Sequence, residues 1–238
     1  MHVREIRKNM SRHRTADEVN QQHTEAMGEE HGGLYHVLWN ELAWLNSKWT
    51  EYVELFGTKP SRIELINRAA GHFFKVVQDS LWEDSILHIA RLTDPPKSAG
   101  KENLTIQKLP SEITDEKTKE HLARLVEVAV ENARFCRDWR NRHIAHKDFN
   151  LALKSGAEPL MPASRAKVKQ ALVSLSDVLN AVSSYYMGST TCFEVITTSD
   201  GAVSLLYVLD DGLRANEERI NRIKERKYIP EDYQARDL

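Results

Sequence analysis

The segment Arg134-Phe135-Cys136-Arg137-Asp138-Trp139-Arg140-Asn141-Arg142-His143-Ile144-Ala145-His146-Lys147-Asp148 holds the residue types best suited to chemistry on a charged substrate. Between Arg134 and Lys147 it carries five basic residues (Arg134, Arg137, Arg140, Arg142 and Lys147) against the single acid Asp138, in a chain that is slightly acidic overall. Such a local cationic excess can hold phosphate. At about 100° per residue, Arg140 falls in the middle of an apolar stripe set by Leu122, Ala129, Ala133 and Cys136, where a Leu would ordinarily stand. Burying an unpaired guanidinium is costly, so a partner, a solvent cleft or a subunit interface must meet it there. The plain reading is a structural ion pair with an acid on a neighbouring helix; the functional reading is a phosphate site. His143 and His146 stand three apart, the spacing of a metal-ligand pair. No third ligand of useful spacing follows, and the sequence contains no His-Glu-x-x-His and no paired-Cys motif, so no metal or other cofactor is expected.

The elements that must position this segment read as helices. Apolar and aromatic residues recur in steps of three and four at Leu34, Leu38, Leu42, Leu45, Trp49, Tyr52 and Phe56, and Gly57 stops the pattern. A second helix is predicted from Pro60-Ser61, where Pro suits the first turn, through Ile66, Ala70, Phe73, Val77 and Leu81 to about Leu92, closed by Thr93-Asp94-Pro95-Pro96. Gly71 inside it implies close packing at Ala69-Ala70-Gly71 or a bend. Residues 97–103 read as a loop, and Thr105 to Leu109 as one helical turn before Pro110. A third helix starts near Thr114-Asp115 and carries Leu122, Leu125, Ala129, Ala133 and Cys136 on one face. After a long loop from Lys147 to Pro162, a fourth spans about Ser164 to Met187. The run Thr191 to Thr198 can form a strand of a hairpin, but Val203 to about Arg226 reads better as a fifth helix capped by Ser199 or Asp200. The five tryptophans at helical spacing (Trp39, Trp44, Trp49, Trp82 and Trp139) are read as core or interface residues.

The expected fold is therefore all-α, an up-and-down bundle of four long helices plus a fifth, C-terminal helix. The domain reading is a polar, frayed or loosely helical segment over 1–30, one helical domain over 31–227 and a polar tail over 228–238. Composition agrees: 238 residues are ample for a core, charged residues make up 29%, and there are only 10 Gly and 7 Pro. The net charge of -2 removes any global positive field for nucleic acid, leaving only a local patch. Mean hydropathy is -0.53, and no apolar run approaches the 18 residues of a membrane helix. The first 30 residues show no signal-peptide pattern, and Cys136 and Cys192 no pairing pattern, so a reducing, cytoplasmic setting is expected.

Arg140-Asn141-Arg142-His143-Ile144-Ala145-His146 fits the Arg-x4-6-His pattern of HEPN domains, in which a polar residue, here Asn141, follows the Arg. The longer string to Asp148 resembles the abortive-infection U-type (AbiU-like) branch of that superfamily, where an Arg-Leu-Thr-Asp-Pro element closes the preceding long helix, as Arg91-Leu92-Thr93-Asp94-Pro95 does here. The resemblance covers about residues 34–225. It implies a HEPN-like bundle that dimerises with its motifs facing each other, and metal-independent endoribonuclease activity in phage defence or as a toxin-like effector, with RNA as substrate and an antitoxin or defence protein as possible partner. Arg140 and His146 are then the catalytic pair and Asn141 the accompanying polar residue. A His near its unperturbed pKa of about 6.5 can take the proton of a ribose 2′-OH or protonate the leaving 5′-oxygen. Arg140 would hold the phosphate oxygens, and the products would carry 2′,3′-cyclic phosphate and 5′-OH ends.

Geometry leaves a question open. Six residues apart on an unbroken helix, Arg140 and His146 point about 240° apart. Either the helix ends or bends near Ile144, or the two residues serve different subunits across a two-fold axis, or His143, one turn from Arg140, is the working histidine. Asp148 can orient His146 if the chain leaves the helix there, and Arg137, Arg142 and Lys147 can add phosphate contacts. The other class of function open to the same fold is a non-catalytic module that binds nucleotide, RNA or protein.

Overall fold

A computed structural model describes residues 15–194 and 200–234. The fold is all-α. The described residues group into two compact units, the first from 15–46 and 84–194 and the second from 47–83 and 200–234.

In the first unit, α1 (Ala16–Met27) lies within the segment expected to be frayed or loosely helical, and a capping box secures it. The Thr15 hydroxyl accepts the Glu18 N–H at 3.2 Å, and the Glu18 carboxylate accepts the Thr15 N–H at 2.9 Å. Helix α2 (Glu29–Phe56) follows after Gly28. A Cβ on Gly32 would stand 2.5 Å from the His23 carbonyl oxygen, so only glycine lets α1 and α2 approach as they do. The long helix α3 (Pro60–Leu92) begins on proline and ends at the Thr93-Asp94-Pro95 stop. Ala70, at φ -162° and ψ 61°, kinks it. A Cβ at Gly71 would meet nothing nearer than the Asn67 side chain at 3.5 Å, so of the two readings of Ala69-Ala70-Gly71 the bend is the one realised.

Residues 97–103, expected as a loop, contain a minimal antiparallel hairpin of β1 (Lys97–Ser98) and β2 (Lys101–Glu102), which turns through Ala99 and Gly100 at φ 47° and 78°. A 3₁₀ helix (Ile106–Glu112) leads to α4 (Glu116–Asn132), whose first turn is capped by the Asp115 carboxylate accepting the Thr118 N–H at 2.9 Å. Helix α5 (Arg134–Trp139), a π-helical turn (Arg140–Ile144) and the short α6 (Phe149–Ala152) follow. Then α7 (Arg165–Met187) runs from its Ser164 cap to Gly188 in the left-handed conformation. Helix α4 packs along α7. Leu122, Ala129 and Ala133 on one side and Val168, Leu172, Leu175, Leu179 and Val182 on the other are buried, with Leu38, Leu42, Ile86 and Ile89 completing the apolar interior.

In the second unit, Leu55, Ile66, Phe74, Ala202 and Leu206 form the core, and Trp49 stacks on Tyr52 at 5.0 Å with Trp82 tilted against both. Not all tryptophans are interior: Trp44, in the first unit, is 62% exposed. The fifth long helix is α8 (Ala202–Lys224). Its cap departs from expectation, since Gly201 occupies the N-cap and the Glu51 carboxylate accepts the Ala202 N–H, in place of Ser199 or Asp200. The alternative hairpin needs residues 195–199, which lie outside the described residues. In the expected tail, the 3₁₀ turn Pro230–Asp232 is anchored by Arg222, which donates to both oxygens of the buried Asp232 and holds that carboxyl below its usual range.

Candidate active site

The third predicted helix is not continuous. Helix α4 ends at Asn132, and Ala133 at φ -89° and ψ 0° breaks the ladder before α5 begins. Phe135 and Cys136 on α5 are buried, and burial pushes the Cys136 thiol up to about 12, which excludes it as a nucleophile at neutral pH. Arg137 donates to the Thr93 carbonyl and the Val130 carbonyl, both at 2.9 Å, so its guanidinium fastens α5 to the end of α3. Asp138 accepts the Met161 N–H at 2.7 Å, and the Trp139 indole donates to the Met161 carbonyl at 2.9 Å. Arg142 reaches Asp138 and the carbonyls of Glu158 and Pro159. Of the expected phosphate ligands, Arg137 thus spends donors on carbonyls at the ends of α3 and α4, and Arg142 on carbonyls of the loop after α6, while Lys147 remains exposed.

Beyond Trp139 the chain widens into a π turn, closed by the Ala145 N–H donating to the Arg140 carbonyl at 2.8 Å. The break at Ala133 and this widening move Arg140 off the apolar stripe. Its side chain is 22% exposed, and it meets an acid: Nη1 donates to the Asp94 carboxylate. Nε donates to the Asn141 side-chain carbonyl at 3.0 Å. Among the described residues nothing pairs with Nη2, so the fork keeps donors for an incoming phosphate oxygen. Asp94 is set by the end of α3, where the Thr93 hydroxyl donates to the Ile89 carbonyl at 2.9 Å, Thr105 to the Leu92 carbonyl at 3.0 Å and Gln107 to the Thr93 carbonyl at 2.8 Å. The two sequence elements singled out separately, Arg91 to Pro95 and Arg140 to His146, therefore meet at one ion pair.

The helix ends at Ile144, and His146 lies in the bend after it, exposed. His143 is half-buried, its ring edge-on to Trp139 at 5.5 Å. With Arg142, Lys147, Asp148 and Leu151 it lines a cavity of about 390 Å³. Neither histidine hydrogen-bonds to Arg140. The expectation that Asp148 orients His146 is not realised: its carboxylate accepts the Leu151 N–H at 2.9 Å and caps α6. Among the described residues, no group of three or more His, Cys, Asp or Glu is placed to hold a metal ion, and no helix is long and apolar enough to cross a membrane.

Sequence reasoning overlooked two histidine contacts in this unit. His88, 1% exposed, places Nε2 2.7 Å from the Glu41 carboxylate, and Nδ1 of His23 lies 3.2 Å from Nδ1 of His36. Glu41 and His88 stand 47 positions apart on different helices, and no local pattern links them.

A model of the AbiU2 family, HEPN_AbiU2, matches residues 28–204, which include both elements of the site. No curated protein and no solved structure matches the chain.

Proposed function

The chain belongs to the AbiU2 family of HEPN domains, and from that premise we propose that it is a metal-independent endoribonuclease acting in the cytoplasm, in phage defence or as a toxin-like effector. The observation that carries this reading is the state of Arg140. Asp94 and Asn141 hold its Nη1 and Nε, which fixes the plane of the guanidinium, while Nη2 is left for a substrate oxygen. A fixed, forked cation is what a phosphate gaining negative charge in the transition state requires. His146, exposed just past the helix end, is the general base that takes the 2′-OH proton, and as imidazolium it returns one to the leaving 5′-oxygen. Bond making between the 2′-oxygen and phosphorus and bond breaking to the 5′-oxygen leave a 2′,3′-cyclic phosphate and a 5′-OH. No hydrogen bond joins Arg140 to His146 within one chain, which favours a homodimer in which each site combines the two motifs.

The test is cleavage of RNA by purified protein in excess EDTA, with the wild type compared against His146→Ala and His143→Ala, each checked by thermal melting. Wild-type cleavage with cyclic-phosphate ends, lost in folded His146→Ala, supports the proposal. A requirement for Mg²⁺ or Mn²⁺, or 3′-OH ends, overturns the mechanism. Loss in His143→Ala alone transfers the role to the histidine beside Trp139. A protein that binds RNA without cutting it is the non-catalytic module. Light scattering tests the composite site, since a clean monomer of about 27 kDa at micromolar concentration is incompatible with it.

A further inference from the structure

Asp94 also borders a second cavity, of about 360 Å³, within the range of small-molecule sites. Its wall includes Glu41, His88, Arg91, Asp94 and Leu104, and Asp94 is at once the residue that holds Arg140. Its polar groups are unusually one-sided. One oxygen of Glu41, whose side chain is 40% exposed, lies 2.7 Å from Nε2 of the buried His88, and among the described residues nothing pairs with its other oxygen. Asp94 gives one oxygen to Arg140 and keeps the second. Asn103 spends its amide N–H groups on the Pro95 carbonyl at 2.7 Å and the Ser98 hydroxyl at 2.9 Å, which leaves its side-chain oxygen as an acceptor. The cavity therefore offers acceptors, with the exposed Arg91 its only cation and Leu92 and Leu104 its apolar surfaces.

We infer that this cavity is a nucleobase site that selects guanine in the RNA held by Arg140, a deepening that rests on the ribonuclease reading above. A flat heterocycle suits the leucine surfaces. Only guanine among the four RNA bases presents two adjacent N–H donors, N1–H and the N2 amino group, on its pairing edge. A carboxylate with one oxygen 2.7 Å from a buried imidazole and the other unpaired among the described residues keeps lone pairs for both. Adenine and cytosine each place a ring-nitrogen acceptor beside their amino group, facing a carboxylate it cannot bond, and uracil brings two carbonyls. Such mismatches set acceptor against acceptor and leave the carboxylate without the donors that guanine supplies. Arg91 and Arg140 then take the phosphates flanking the base. Glu41 is a specificity residue and His88 its positioning residue, neither touching the reacting atoms.

Titration calorimetry with the four nucleoside 3′-monophosphates on the full chain tests the assignment. At least tenfold tighter binding of 3′-GMP than of the AMP, CMP or UMP isomers is expected, falling to within twofold in Glu41→Gln. Leu104→Trp, at a position 39% exposed and so tolerant of substitution, should block all four if the base enters here, and it replaces Glu41→Gln should that variant fail to fold. Equal affinity for the four nucleotides, a preference that survives Glu41→Gln, or unchanged 3′-GMP binding in Leu104→Trp overturns the inference. The two readings fail separately. RNA cleavage with no guanine bias at the cut sites removes the base site and leaves the ribonuclease. A guanine preference in binding without cleavage keeps the base site and removes the ribonuclease.

Discussion

Replacing Asp94 by alanine isolates the contact on which the site is built. Its carboxylate and the Arg140 guanidinium are 18% and 22% exposed, so the pair lies between two measured regimes. Removing one partner of a fully buried pair costs about 3–5 kcal/mol, whereas an exposed pair is worth about 0–1 kcal/mol. Arg140 would keep its bond to Asn141 and its fifth of exposure, which places Asp94→Ala at about 2 kcal/mol. For a chain of this size that is a melting-point loss of roughly 4–8 °C. Arg140→Ala should cost less, about 1 kcal/mol, because the orphaned Asp94 borders a cavity that water can enter. Denaturant titration of both single variants and the double variant then gives a coupling of about 1–2 kcal/mol. Additivity within about 0.5 kcal/mol would falsify the claim that the two residues stabilise one another. The isosteric Asp94→Asn keeps an acceptor and the shape but drops the charge. It should lower RNA cleavage while leaving the fold intact, because Arg140 loses the group that fixes its plane. Faster cleavage in Asp94→Asn would mean that Asp94 competes with substrate and does not orient the arginine.

Further outcomes follow from buried groups elsewhere in the first unit. His23, His31 and His36 are held below the ordinary histidine value of 6.5 chiefly by burial, with His36 adding to the effect at His23 and Glu112 opposing it at His31. The unfolded chain therefore binds more protons below that pH, so stability is full above about 6.5 and falls as the pH drops through the depressed folded values. Urea midpoints measured from pH 8 to pH 5 should decline, and His31→Phe should flatten the decline, because both ring nitrogens of His31 are buried without a partner; an unchanged slope would refute the assignment. In a thiol titration at pH 8 the native protein should react once, at exposed Cys192, and twice after denaturation, since burial keeps the Cys136 thiol protonated. Gly32→Ala should destabilise by about 1–3 kcal/mol and expose α1 to proteolysis, as the new methyl collides with the His23 backbone; a silent substitution would show that α1 is not held against α2.

Where a feature depends on neighbours in the chain, the residues announced it. Pro60 opens α3, Asp115 and Ser164 cap α4 and α7, and the Thr93-Asp94-Pro95 stop ends α3, all local backbone chemistry that a short window contains. The bend beside Gly71 was legible for the same reason. What escaped was set across the fold. The break at Ala133 has no glycine or proline to mark it; Arg137, which pulls α5 onto the Thr93 carbonyl, lies 44 positions from that carbonyl. Helix α8 takes its cap from Glu51, which is 151 positions away, so a search for a neighbouring Ser or Asp could not succeed. The same distinction separates the parts of the site. Arg140, Asn141 and His146 stand out by type and spacing, because the chemistry of a forked cation beside a polar residue is carried by adjacent positions. Their environment is not so carried: Asp94 read as ordinary helix-end chemistry until the fold brought it across 46 positions to Arg140. That pairing changes what Arg140 is. On an unbroken apolar stripe it would be a buried charge in need of a partner. At the π turn, with Asp94 and Asn141 taking two of its nitrogens, it is a positioned cation with a third nitrogen to spare. A substrate phosphate can therefore bind without first displacing the structural bond.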